Sequence, residues 1–169
     1  HLEELFHIFG YLDKHHNAEM VFDPTEPEVD EDDFKRRDWG NSIYGDVEEE
    51  MPPNMPPALG RGFRMRTYVD SDHAGETITR RSRTGLLVFL NQAPKHMVSR
   101  KQTSCETSTF GSEFCALKQA TEYARGLRYK LRMMGIPCDE PTYVYGDNQS
   151  VLANTTPPES QLKKKSNSI

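Results

Sequence analysis

Between Phe63 and Asp70 apolar and polar positions alternate. Phe63, Met65, Thr67 and Val69 face one way, and Arg64, Arg66, Tyr68 and Asp70 the other, which is the period of a strand with one buried face. Gly85 to Leu90 (GLLVFL) reads as a short apolar strand and Pro94 to Gln102 (PKHMVSRKQ) as a third. Asn91–Gln92–Ala93 between them is short enough for a hairpin turn. The period then changes. From about Ser108 to Met134 the spacing predicts a long helix, with a core-facing stripe of Phe110, Glu113 or Phe114, Leu117, Ala120, Ala124, Leu127, Leu131 and Met134. Lys118, Glu122, Arg125 and Arg132 fall on its opposite side, and Gly135–Ile136–Pro137 ends it. Thr142 to Asp147 (TYVYGD) predicts a fourth strand and residues 148–154 (NQSVLAN) a short helix behind it. Hairpin strands, a helix, a strand and another helix predict an α/β domain with a mixed sheet over residues 63–169.

Upstream the texture differs. Residues 1 to about 20 read as an amphipathic helix, with Leu2, Leu5, Phe6, Ile8, Phe9 and Leu12 near helical spacing. A helix this short needs a partner surface. Its His15–His16 pair invites a metal reading, but adjacent helical residues point in different directions, and a solvated helix end is the plainer account. From Asp23 to about Gly62 the chain is acidic and proline-rich and ends in MPPNMPPALGRG. The expectation there is a linking or inserted segment, largely extended, its acids solvated, with Trp39, Ile43 and Tyr44 able to dock on a neighbour. The organisation is thus 1–22, 23–62 and 63–169.

Charge sharpens this division. The 169 residues carry a net charge of −5, which argues against a simple nucleic-acid binder. Between Asp23 and Glu50, however, 12 acids face only Lys35, Arg36 and Arg37, a local net of −9 that leaves +4 on the remainder. A mildly basic body beside an acidic appendage can still hold a polyanion. The chain has no 18-residue apolar run and no signal peptide, so an intracellular, membrane-free setting is expected. It opens at His1 and ends in KKKSNSI, and reads as a piece of something longer. Cys105, Cys115 and Cys138 are odd in number and widely spaced, as reduced packing thiols are. Nothing specifies the positioned His that a cysteine nucleophile needs.

Three acids stand out as candidate chemistry. In YVDSDHAGE, Asp70, Asp72 and Gly75 fit the first, third and sixth places of a calcium loop, but Ala74 holds the fifth and Arg81 the twelfth, so that reading fails. Asp70 then ends a strand. Glu113 lies four residues before Leu117 on the apolar stripe, where a carboxylate costs desolvation unless it is paired or metal-bound; a half-exposed first-turn Glu favoured by the helix dipole is the alternative. Asp147 sits between a buried-looking strand and a helix, either as a ligand at a strand's carboxyl end or as a helix cap. Hard oxygen donors on rigid elements suit paired Mg²⁺ ions, which, roughly 3.5–4 Å apart, activate water and stabilise the leaving oxygen in phosphodiester cleavage.

Taken in order, YVDSDHAG, RRSRTG, ETSTFGSEF and YGDNQSV resemble the successive signatures of the ribonuclease H domain of copia-type retrotransposon polyproteins. The resemblance covers about Tyr68 to Lys165. HLEELFHIFGYL also resembles the helix that links the polymerase portion to this domain, and the acidic segment looks like a lineage insertion. The resemblance implies a ribonuclease H-like mixed sheet flanked by helices. It implies an endonuclease that removes the RNA strand of RNA–DNA hybrids during reverse transcription, using two Mg²⁺ (or Mn²⁺) held by Asp70, Glu113 and Asp147. Asp72 would assist if the strand extends to it. Partners would be the hybrid and the polymerase and integrase portions of the polyprotein, within a cytoplasmic virus-like particle. Phosphate contacts would come from Arg80, Arg81, Arg83, Arg100, Lys101, Lys163, Lys164 and Lys165, and contacts to ribose 2′-hydroxyls from Thr84, Gln102, Ser112, Asn148 and Gln149. The family also carries a last acidic or histidine ligand in a K-H-I-D-like stretch. Here the chain reads KKSNSI, so either Ser168 stands in that place or the ligand lies beyond Ile169. The departure puts the activity of this fragment in question. It keeps a second reading open, an inactive retroelement fragment that retains the fold and hybrid binding. An integrase-type strand transferase is disfavoured by the order of the acids and by SEF and GDNQS.

Overall fold

The computed structural model describes residues 2–160 except 35, 43, 44 and 46. Ile43, Tyr44, Lys163, Lys164, Lys165 and Ser168 therefore lie outside the described residues.

The body is α/β. Strands β1 (Met65–Asp72), β2 (Arg83–Leu90), β3 (Ala93–Lys101) and β4 (Thr142–Tyr145) form one mixed sheet in the order β3-β2-β1-β4. β1, β2 and β3 are antiparallel neighbours, and β4 joins β1 in parallel. A parallel neighbour requires a crossover, and the 25-residue helix α2 (Thr109–Met133) supplies it. The short helix α3 (Gln149–Thr155) follows β4. The hairpin between β2 and β3 turns on Asn91–Gln92, one residue tighter than expected, because Ala93 already pairs with Leu90. Asn91 takes a φ of +55°, which Asn tolerates better than most residues. Its side-chain oxygen accepts the Arg64 N–H at 2.8 Å.

One face of the sheet carries the core. Met65, Val69, Leu86 and Val88 pack against Ala116, Ala120 and Ala124 of α2, with Leu131 and Cys138 at the far end. The three alanines let the helix lie close to β1 and β2. The expected stripe along α2 holds at its centre and shifts at its C-terminal end. Met134 is 71 % exposed, and Arg132, expected on the solvated side, is 6 % exposed.

The reason is Glu49. The acidic segment was expected to keep its acids in water, but the Glu49 carboxylate reaches α2 and accepts hydrogen bonds from Arg128 Nε (3.0 Å) and Arg132 Nη2 (2.8 Å). Both arginines also donate to the Cys138 carbonyl, and Arg128 to that of Glu140. The guanidiniums are buried because carboxylate and carbonyl oxygens replace their water. The segment is largely irregular apart from one 3₁₀ turn at Glu31–Phe34, yet it is docked at several points. Phe34 packs edge-on against Tyr143 and Tyr145, with ring centres 4.8 and 5.3 Å away. The Leu59 N–H donates to the Gly135 carbonyl, and Asn91 Nδ2 to that of Pro24. Trp39 is half-buried.

At the other extreme, α1 (Leu2–Lys14) is shorter than the sequence suggests and has no buried residue. Beyond it His16 Nδ1 bonds the Asp13 carbonyl at 2.8 Å and the His15 ring packs on Tyr11. Among the described residues no helix is long and apolar enough to cross a membrane.

Candidate metal centre

The sheet register brings two of the predicted acids together. The last residue pair in the parallel β1–β4 ladder is Tyr68 with Tyr145. Asp70 and Asp147 each stand two residues further on, at the carboxyl ends of adjacent parallel strands. The third comes from α2, whose first turn lies over the same end of β1. Ser108 caps that turn by accepting the Gly111 N–H at 3.1 Å, and Glu113 follows on the buried side. One ligand atom from each of Asp70, Glu113 and Asp147 lies within 4.8 Å of the other two.

The electrostatics of this cluster are unfavourable without a cation. Glu113 is only 9 % exposed. Its carboxyl is pushed above the usual glutamate range, first by burial and then by the charges of Asp70 and Asp147, with contacts from Ser71 pulling partly the other way. Asp70 and Asp147 remain exposed and line an open groove of about 610 Å³ that runs over the sheet past Tyr68, Leu87, Met97 and Tyr145. Three hard oxygen donors suit Mg²⁺ or Mn²⁺. Octahedral ligand oxygens at about 2.1 Å from Mg²⁺ lie roughly 3 to 4.2 Å apart, so the three carboxylates would draw together around a bound ion. The cluster could hold a metal ion.

The alternative assigned to Asp147 is answered by its neighbour. Asn148 is the cap of α3, its Oδ1 accepting the Val151 N–H at 3.1 Å, which leaves the Asp147 carboxylate to the cluster. Strand β1 does extend to Asp72, but that side chain turns toward the loop after β1. Its Oδ1 accepts the Arg83 N–H, and Oδ2 lies where a Cβ on Gly75 would stand. Asp72 is thereby an anchor for the 73–82 loop and is not among the clustered acids.

The basic candidates divide. Arg80, Arg81, Arg83, Arg100 and Lys101 are all exposed. Arg83 and Arg100 flank the strand ends near Asp70 through the pairs Asp72–Arg83 and Thr84–Arg100. Lys101 is held by Glu76 at 2.7 Å. Three of the expected hydroxyl-reading donors, Thr84, Gln102 and Ser112, are buried, each at most 2 % exposed. They form a packed polar contact instead, with Gln102 Nε2 donating to Thr84 Oγ1 and to the Ser112 carbonyl. Gln149 is exposed. The thiols of Cys115 and Cys138 are pushed up chiefly by burial, which suits packing roles.

The sequence reading missed Glu49 and Arg128. Arg128 and Arg132, four apart on one helix, were the available signal, but nothing local pointed to a carboxylate 79 residues away. Neither a family model nor a solved structure matches the chain.

Proposed function

We propose that this domain hydrolyses phosphodiester bonds in the RNA strand of RNA–DNA hybrids, as the ribonuclease H portion of a copia-type retrotransposon polyprotein. The observation that carries the reading is the meeting of Asp70, Glu113 and Asp147 from three separate elements, in the order in which the sequence resemblance assigns them. When bound there, a pair of Mg²⁺ or Mn²⁺ ions supplies Lewis acidity for attack of water on phosphorus and for departure of the leaving oxygen. Asp70 and Asp147, both exposed, face the arriving strand and hold the metal side of the site. Glu113, nearly buried and fixed on a helix, sets the depth of the site and limits its rearrangement. Arg83 and Arg100 offer positive charge to the hybrid backbone at the same sheet end. With Thr84, Gln102 and Ser112 buried, Asn148 and Gln149 remain as the donors for ribose hydroxyls. The polymerase and integrase portions of such a polyprotein, in a cytoplasmic particle, are the setting that belongs to this reading.

The test is cleavage of an end-labelled RNA–DNA hybrid in Mg²⁺ and in Mn²⁺, with Glu113→Gln as control. The expected result is cutting of the RNA strand alone, lost in the variant. Hybrid binding with no cleavage in either metal would instead support the inactive retroelement fragment.

A further inference from the structure

We propose that Gln102 is a positioning residue for Glu113, holding the first turn of α2 at the distance from β1 and β4 that lets the three carboxylates share a cation. The inference rests on the metal-site reading above. Gln102 follows β3 directly, and its N–H donates to the Ser82 carbonyl at 2.8 Å, which fixes its backbone to the start of β2. Its Nε2 donates at 2.9 Å to the carbonyl of Ser112, the residue before Glu113, and at 3.1 Å to Thr84 Oγ1 on β2. Ser112 is itself fully buried, with its hydroxyl donating to the Thr109 carbonyl. One side chain thus ties the sheet to the helix turn that carries the buried carboxylate.

The Gln102 side chain is 2 % exposed, and its Oε1 is buried without a hydrogen-bond partner. A buried orphan acceptor destabilises the fold, and offsets what the two Nε2 bonds contribute. Methionine, unbranched and of similar length, would keep the packing and remove the orphan, but it would leave the buried Thr84 hydroxyl without its Gln102 partner. Groups that orient metal ligands typically change affinity 10- to 100-fold when removed.

The experiment is Mn²⁺ titration of the metal-free chain by electron paramagnetic resonance, with thermal unfolding in parallel, for Thr84→Val alone and combined with Gln102→Met. The positioning role requires Gln102→Met combined with Thr84→Val, which leaves no stranded hydroxyl, to bind Mn²⁺ about tenfold more weakly than Thr84→Val alone at near-unchanged Tm, and Thr84→Val alone, which keeps the bond to Ser112, to bind as the parent does. Unchanged affinity in the double variant, or affinity and Tm falling together in it, would overturn the proposal. If the parent chain takes up no Mn²⁺, the metal reading itself fails, and amide hydrogen exchange then decides the geometry. Faster exchange in the double variant confined to residues 112–116 supports the tether, whereas no change, or a rise along all of α2, rejects it.

Discussion

Replacing Glu49 by Gln tests whether the acidic segment belongs to the folded body. The Glu49 carboxyl is held down to about 2, from an ordinary 4.5, by the Arg132 hydrogen bond first and Arg128 next, against the opposing cost of burial. At ~1.4 kcal/mol per tenfold, that depression corresponds to roughly 3 kcal/mol of favourable interaction with the ionised form. The carboxylate side chain is 32 % exposed, and solvent screening reduces the figure to about 2 kcal/mol. Glu49→Gln leaves both guanidiniums their backbone acceptors at Cys138 and Glu140, so the loss stays below the ~3–5 kcal/mol of a fully buried broken pair. The sign follows from a depressed folded-state value. The contribution is complete above the unfolded value near 4.5 and is lost as pH falls through 4.5 toward 2. Urea unfolding at pH 7 should therefore show Glu49→Gln less stable by about 2 kcal/mol, and the gap should shrink to less than half of that by pH 3. A variant as stable as the parent at pH 7, or a gap that does not change with pH, would refute the clamp and return the segment to solvent.

The remaining expectations concern the carboxylate cluster and its surroundings. Because the folded Glu113 carboxyl is raised, its protonated form is favoured in the fold; that contribution is present at low pH and is lost as pH rises through the folded value and the group ionises, so Glu113→Gln should gain a few degrees in Tm over the metal-free parent at pH 7–8 and match it near pH 4. Mg²⁺ at tenfold its Kd should stabilise the parent by about 1.4 kcal/mol in differential scanning calorimetry. Asp147→Asn should respond to Mg²⁺ far less, and EDTA should reverse the parent's gain. Asp72→Asn should cost about 1 kcal/mol through the weakened loop anchor, with Mn²⁺ affinity unchanged; a large loss of affinity would make Asp72 a member of the metal site after all. Arg83→Ala and Arg100→Ala should each weaken hybrid binding uniformly across sequences and lower the slope against log salt by about 1, as fluorescence anisotropy in a salt series would show.

What could be read in the chain follows the range of the interactions involved. The alternation through Met65–Val69 and the helical spacing through Ala116–Ala124 are local patterns with one buried face each, so the strands and α2 emerge within a few residues of their bounds. The elements also bring their acids together: Asp70 lies near the end of β1, Asp147 follows β4, and Glu113 lies on the buried side of α2. What was not legible is polar burial. Gln102, Ser112, Thr84, Arg128 and Arg132 all read as surface residues by type, and each is buried through partners distant in sequence or on another element. A pattern of hydrophobicity assigns such residues to water because it has no way of representing an acceptor supplied by a carbonyl after α2 or by a carboxylate in the acidic segment.

The same contrast explains why the cluster is robust in position and strained in charge. Two of its members are set by strand register alone. Tyr68 pairs with Tyr145 in the parallel ladder, and the two-residue offset that follows is identical on both strands, so moving β4 by one residue would turn its side chains to the opposite face and carry Asp147 away from Asp70. The third member depends on the docking of α2. That docking is set by three small alanines against β1 and β2 at the centre of the helix, by the Gln102–Ser112 contact at one end and by the Glu49 clamp at the other. None of these contacts compensates the three carboxylates. Burial and like charge act together on Glu113, and a fold that assembles such a cluster from three elements gains from filling it with a cation. A divalent ion would remove the repulsion that the packing imposes, and metal binding and local stability at the end of the sheet would then rise together.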